Sequence, residues 1–221
     1  KSTTPVSRNS NSSNLESGSF TLVATNNVGK VVMAAQKYNI PSEYLLGILA
    51  REGSTGDLYF GLTWMRSLAR KADHASFENA WRQIFPSGYV VINGQTITAA
   101  DVERNPEKYF SNFDFCLELS AAQIKTQISR FGDLESASKE YCIGTDAYVQ
   151  KKVDDGTWTS VEDAENFANA CYEYAMMMGK LMKMYSGDEL QKVLSLAPGV
   201  GNYYAYKNGN SAGIYTLYNR S

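Results

Sequence analysis

The stretch Pro41-Ser-Glu-Tyr-Leu-Leu-Gly-Ile-Leu-Ala-Arg-Glu52 decides how the rest of the chain is interpreted. Its first residues are typical of a helix start. A Ser42 hydroxyl can accept a hydrogen bond from a first-turn N–H, and the Glu43 carboxylate complements the positive end of the helix dipole. The sequence therefore predicts a helix that begins just after Pro41 and runs to Glu52.

The same helix presents an apolar face that ends in one carboxyl group. Leu45, Ile48 and Leu49 precede Glu52 by seven, four and three residues, so all four lie on one side. Partial burial and the negative end of the helix dipole both favour the protonated form of an acid at this position. Glu52 is therefore a candidate general acid. The alternative is a helix-terminal residue that faces water.

Composition limits the classes of protein to consider. The chain has 221 residues, 43% hydrophobic and 20% charged, which suits one main globular domain. Its net charge of -2 gives no basic surplus for a phosphate backbone, so we expect no nucleic-acid partner. No apolar run reaches the roughly 18 residues of a membrane span. We expect neither a metal nor another cofactor, since His74 is the only histidine and the three cysteines are widely spaced, although one cysteine pair could bridge.

The chain divides into three parts by composition. Residues 1–20 are rich in Ser and Asn and are predicted to form a flexible linker. Residues 21–185 carry the helical patterns of the main domain, and residues 186–221 are predicted to form a C-terminal helix followed by a Tyr-rich extension that resembles two strands. A start at Lys1 with no signal region suggests a module of a longer protein.

The main domain is predicted to be mainly α with a small β-hairpin insertion. Asn93-Gly94 between two β-prone runs favours a type I′ turn in a hairpin over residues 89–97. Helical patterns cover the rest, at 25–38, 62–71, 76–85, 98–104, 112–130, 133–144 and 160–185.

The order of these elements resembles a known enzyme family. The chain has a helix that ends in Arg51-Glu52-Gly53-Ser54, then Gly61-Leu62-Thr63-Trp64-Met65, and later Phe131-Gly132-Asp133 followed by Ala137-Ser-Lys-Glu-Tyr141-Cys142-Ile-Gly144. This set is similar to the motifs of the soluble lytic transglycosylases and goose-type lysozymes, over about residues 27–150. Three positions depart from the family pattern, because Trp64 replaces a Gln, Cys142 replaces an Asn and Gly53 displaces the Ser after the acid.

The resemblance implies a lysozyme-like fold and cleavage of the MurNAc–GlcNAc bond of bacterial peptidoglycan. In that family one glutamate protonates the leaving oxygen and then acts as a base on the sugar's own 6-hydroxyl, which gives a 1,6-anhydro product. Glu52 would have this role here. A hydrolytic lysozyme of the same fold needs a second carboxylate, and Asp57 is the nearest candidate. Asp57 could instead be an ordinary turn residue.

The resemblance also implies a set of substrate-binding residues. Tyr141 matches the family tyrosine beside the acid, and Ser54, Thr63, Asp57 and Trp64 would line the cleft. From the sequence alone a tyrosine such as Tyr141 is more often a core residue, and Ser54 and Thr63 could serve only turns and caps.

Two further hypotheses for the function stay open. A catalytically silent peptidoglycan-binding or structural module of the same fold is one, motivated by Trp64 and Cys142. An unrelated helical scaffold is the other. If the chain is an enzyme of this family, its partner is the glycan strand, and we expect it in the cell envelope, outside the cell or on a virion, within a larger exported or phage-virion assembly.

Overall fold

A computed structural model describes residues 26–52, 62–71 and 73–195, and at positions 51, 52, 62, 63, 194 and 195 it describes the backbone alone. The predicted linker at 1–20 and the predicted Tyr-rich strands lie outside these residues. In chain order the elements are α1 (Val28–Tyr38), α2 (Ser42–Glu52), α3 (Leu62–Arg70), α4 (His74–Ile84), β1 (Tyr89–Ile92), β2 (Gln95–Thr98), α5 (Ala99–Arg104), α6 (Pro106–Phe110), α7 (Phe113–Phe131), α8 (Leu134–Ile143), α9 (Asp146–Asp154), α10 (Val161–Met184) and α11 (Gly187–Ser195).

The described chain is mainly helical with one small antiparallel hairpin, which confirms the predicted fold class. In the hairpin Tyr89 pairs with Thr98 and Ile92 with Gln95. The turn residues Asn93 and Gly94 have φ values of 50° and 78°, as a type I′ turn requires. Among the described helices none is both long and apolar enough to cross a membrane.

Helix α2 lies at the centre of the larger core. Every residue from Tyr44 to Ala50 is buried, so the helix is covered on all sides rather than on the single face that its sequence predicts. Helices α1 and α10 pack against it. Side chains of α7, including Leu117 and Ile124, complete the same apolar cluster.

Two glycines allow α2 and α10 to touch backbone to backbone. A Cβ on Gly47 would lie 1.6 Å from the Ala175 carbonyl oxygen, and one on Gly179 would lie 1.7 Å from the Glu43 carbonyl oxygen. On each helix the glycine and the carbonyl-bearing residue are four positions apart. The two helices run in opposite directions, so the glycine of each lies against the carbonyl of the other. Only glycine permits this approach.

A second core contains side chains of helices α3 through α7 and of the hairpin. Its largest side chain is Trp81, which is fully buried. The Trp81 ring centroid lies 4.7 Å from that of Phe85 in a tilted arrangement and 6.4 Å from that of Phe115 in a stacked one. The Trp81 indole N–H donates to the Gly88 carbonyl at 2.9 Å, so the ring is buried without an unpaired polar group. This core fixes the hairpin against α7.

The three cysteines have different states. Cys142 on α8 and Cys171 on α10 form a disulfide, whereas Cys116 on α7 is a buried free thiol. Burial raises the pKa of the Cys116 thiol, with the nearby Arg66 charge acting weakly in the opposite direction. Cys116 is therefore kept in its unreactive thiol form.

Candidate functional site

Glu52 is the last residue of α2, at the end of the segment whose preceding residues are buried. The backbone thus places this carboxyl-bearing residue at the negative end of the dipole of a helix whose residues 44–50 are buried. Ser54 and Asp57 lie outside the described residues, as does the side chain of Thr63. Their predicted roles stay predictions.

The first turn of α2 is bound to α10 through an ion pair. The Lys183 ammonium group donates to the Glu43 carboxylate at 2.5 Å and to the Ser42 hydroxyl at 3.2 Å. The hydrogen bond from Lys183 holds the pKa of Glu43 below its usual range. The Ser42 hydroxyl itself donates to Glu43 at 3.4 Å. Together with the glycine contacts, this ion pair fixes both the register and the direction of the helix that carries Glu52.

Tyr141 lies on α8 and is partly buried. It packs against the apolar cluster that contains the α2 side chains, so both elements of the predicted site share one supporting core. The next residue, Cys142, is bonded to Cys171 of α10. Helix α10 therefore supports both α2 and the tyrosine-bearing helix α8.

Trp64 is 52% exposed on α3. Helix α3 is held to α6 by two arginines. Arg66 and Arg70 donate to the Glu107 carboxylate at 2.8 and 2.6 Å. These contacts hold the pKa of Glu107 below its usual range, Arg70 contributing most. Trp64 thus presents a large aromatic surface to solvent, and its predicted role in contacting substrate stays a prediction.

The sequence-based prediction missed a line of polar groups on α7. Four buried side-chain atoms have no hydrogen-bond partner in the part of the chain that the structure describes, and all four belong to α7 or to α3, which packs against it. They are Arg66 Nε, Ser120 Oγ, Gln123 Oε1 and Gln127 Oε1. Each such group, left unpaired, costs roughly 1–3 kcal/mol, so their clustering calls for an explanation.

Helix α7 carries a second polar set on another face, and there the groups are paired. The Glu118 carboxylate accepts from the Tyr38 hydroxyl at 2.6 Å and from the Lys37 ammonium group. Burial and this carboxylate raise the pKa of Tyr38 well above its ordinary range. One turn earlier, Asp114 accepts from Lys30 and from the Asn93 amide, both at 2.9 Å.

These paired groups line an open groove of about 520 Å³ between α1, α7 and the hairpin. Its walls include Met33, 69% exposed, and Val91, 46% exposed. The sequence showed only that Asp114 and Glu118 are four residues apart. Because Lys30 and Lys37 oppose the two carboxylates one for one, the groove holds no unbalanced charge that would select a charged ligand.

The described residues contain no group of three or more His, Cys, Asp or Glu side chains placed to hold a metal ion. Comparison with known proteins adds no assignment: no protein-family model, no curated protein and no solved structure matches this chain.

Proposed function

We propose that this protein cleaves the MurNAc–GlcNAc bond of bacterial peptidoglycan as a lytic transglycosylase, with Glu52 as acid and base. The observation that carries the proposal is the position of Glu52 in the last turn of α2, two residues beyond the seven buried residues 44–50. The ordered resemblance of the Glu52, Gly61-Leu62 and Tyr141 segments to that enzyme family supports it.

The position suits the required proton transfer. Protonation of the glycosidic oxygen needs a carboxyl group that keeps its proton near neutral pH, and a helix C-terminus beside an apolar core favours that form. Glu52 gives its proton to the leaving oxygen as the bond from the sugar's C1 breaks. The resulting carboxylate then takes the proton of the sugar's 6-hydroxyl while that oxygen bonds to C1, which restores the acid.

Tyr141 is proposed to position the carboxyl group or the sugar. Its anchoring by the shared core and by the neighbouring disulfide would limit its movement. Trp64, which is 52% exposed, is proposed to contact a sugar ring. Ser54, Thr63 and Asp57 complete the proposed cleft, and Asp57 is the base that a hydrolytic reaction would use instead.

The disulfide supports a location outside the reducing cytosol. Such bonds persist in secreted proteins, the periplasm and virions, which are also the places where peptidoglycan is reached. We therefore propose that the protein acts in the cell envelope, outside the cell or on a virion, as the wall-degrading module of a larger exported or phage-virion protein.

The experiment is digestion of purified cell wall by the wild type, Glu52→Gln and Glu189→Gln. Glu189 is an exposed residue of α11 and serves as the matched control. We expect Glu52→Gln to abolish turbidity clearing and the control to retain it. Mass spectrometry of the products then assigns the reaction: anhydro-MurNAc ends support the transglycosylase, and reducing ends that disappear in Asp57→Asn support hydrolysis. Wall binding without any release of muropeptides would reject an enzyme and favour a silent binding module.

A further inference from the structure

The open groove between α1, α7 and the hairpin runs along the outer edge of β1. Val91 and Ile92 both line the groove, although neighbouring side chains of a strand point to opposite faces of the sheet. Of the described residues of β2, none lines it. The groove therefore borders the edge of the strand rather than one face of the hairpin.

The register of the hairpin determines which backbone groups point to this edge. Ile92 and Gln95 flank a two-residue turn, so this pair exchanges both of its hydrogen bonds. The next pair, Val91 and Thr96, then exchanges none. The N–H and C=O of Val91 therefore point away from β2, and the sheet formed by the described residues has no third strand to pair with them.

The other outward-pointing position of β1 is already bonded within the chain. The Ser87 hydroxyl donates to the Tyr89 carbonyl at 2.8 Å and accepts from the Tyr89 N–H at 3.5 Å. A long extended segment could not pair with the whole strand while these bonds exist. The edge thus offers the donor and the acceptor of Val91, which suits the backbone of a short peptide better than a further strand.

Charged groups of both signs line the same groove. Lys30 pairs with Asp114 at 2.9 Å, and Lys37 pairs with Glu118. The two lysine side chains are 54% and 50% exposed, whereas the two acidic side chains are 20% and 12% exposed. A solvent-borne ligand can therefore reach the cations directly. A ligand that brings both an ammonium and a carboxylate group can exchange partners with these pairs, so that no charge is left unpaired.

The size and the walls of the groove suit a small ligand. Its volume of about 520 Å³ lies within the roughly 300–1,000 Å³ of small-molecule sites. Met33 and Val91 are both exposed, and both line it. The flexible Met33 thioether can adapt to methyl groups of different position.

We infer that this groove binds a short peptide that carries charges of both signs, held by the Val91 backbone and by the Lys30–Asp114 pair. The assignment of this ligand as the peptide stem of peptidoglycan rests on the proposed function. The stem combines amide groups, carboxylates, an ammonium group and alanine methyl groups, each of which has a counterpart in the groove. A chain of N-acetylglucosamine has neither charge. Binding of the stem does not require the Glu52 carboxyl group.

The test is calorimetric titration of the full chain with the stem peptide L-Ala-γ-D-Glu-L-Lys-D-Ala-D-Ala and, separately, with a tetrasaccharide of GlcNAc. We expect the peptide to bind and Val91→Pro to weaken its binding about five- to tenfold, as for the loss of one hydrogen bond. Proline removes the outward N–H and keeps the hydrogen bonds between β1 and β2. Thr96→Pro is the matched control, because it makes the same change at the outer edge of β2, and it should keep the wild-type affinity.

A second variant tests the charged part of the groove and keeps the test valid if Val91→Pro does not fold. Lys30→Gln removes a half-exposed cation and should weaken peptide binding about fivefold, with a smaller dependence of the affinity on salt. Lys151→Gln, at an exposed position of α9, should change neither quantity.

Three results would each overturn the inference: no binding of the peptide by the wild type, equal affinity of folded Val91→Pro and Thr96→Pro, or unchanged affinity in Lys30→Gln. Displacement of the peptide by the tetrasaccharide would also overturn it, because the groove would then be a glycan site. The proposed reaction is judged separately. Groove-dependent peptide binding with no wall cleavage rejects only the reaction, and wall cleavage without groove-dependent peptide binding rejects only this inference.

Discussion

Gly179→Ala should displace the helix that carries Glu52. A Cβ at this position would lie 1.7 Å from the Glu43 carbonyl oxygen and 2.4 Å from its carbon, both backbone atoms of α2. Moving the oxygen to 3.0 Å, below which Cβ contacts are essentially never seen, requires a displacement of about 1.3 Å. No flexible side chain can absorb this movement.

The expected loss of stability follows from two opposing effects. Overpacking of a core typically costs about 1–3 kcal/mol, and backbone neighbours place this substitution at the upper end. The higher helix propensity of alanine offsets about 1 kcal/mol of this loss. The net loss is about 2 kcal/mol, which corresponds to a fall in melting temperature of roughly 4–8 °C for a chain of this size.

Thermal unfolding followed by circular dichroism, with the disulfide intact, measures this change. Gly29→Ala is the matched control, because Gly29 is also in a helix and a Cβ there would meet nothing within 4 Å. The control should keep or slightly raise the melting temperature. If Gly179→Ala melts within 1 °C of Gly29→Ala, a difference well below the roughly 4–8 °C expected, the close contact of α2 and α10 is refuted.

Two further predictions concern groups around the core. Burial and Glu118 raise the pKa of Tyr38, so the folded protein keeps a proton that the unfolded chain releases above about pH 10. The free energy of unfolding must therefore fall as the pH rises past that value. Tyr38→Phe lacks this ionisation and should lose less stability in urea titrations between about pH 9 and 11; an identical slope to the wild type would contradict the burial of the phenol. Reduction of Cys142–Cys171, which are 29 residues apart, should cost about 3.5 kcal/mol and lower the melting temperature by roughly 10 °C. Dithiothreitol should have no such effect on the double variant Cys142→Ser/Cys171→Ser, and an equal response in both proteins would show that the bond does not stabilise the fold.

Local chemistry made most of the fold predictable. The Asn93-Gly94 turn identified the hairpin, and Asp133 and Ser160 marked helix starts as N-caps, accepting from the Ser136 and Asp163 amides at 2.7 and 3.0 Å. The start of α2 at Ser42 follows from Pro41. These signals lie within a few residues of the feature that they determine, so the sequence displays them.

Two short helices were missed because their signals are weak. Helix α6 has five residues, too few for an apolar period, although Asn105 caps it and Pro106 occupies its first turn. Helix α9 has Val149 as its one buried residue, so it shows no apolar stripe. Packing against neighbouring elements and N-cap hydrogen bonds from Asn105 and Thr145 stabilise these two helices.

The site depends on contacts that no local pattern contains. Burial of α2 on every side requires the distant Gly179, and pairing of Cys142 with Cys171 is one of three pairings that three cysteines allow. Ser120, Gln123 and Gln127 have the spacing of an ordinary solvated stripe, so only the fold shows that each has a buried side-chain atom without a hydrogen-bond partner among the described residues. The sequence could propose Glu52 and Tyr141 as site residues, but it could not show the core that joins α2 to α8.

The central claim is that Glu52 is the proton donor in cleavage of peptidoglycan. Mass spectrometry of muropeptides released from purified cell wall by the wild type and by Glu52→Gln tests it most directly, with the thermal unfolding of both proteins matched beforehand. The account predicts anhydro-MurNAc products from the wild type and none from Glu52→Gln. Equal product release by the two proteins would contradict it.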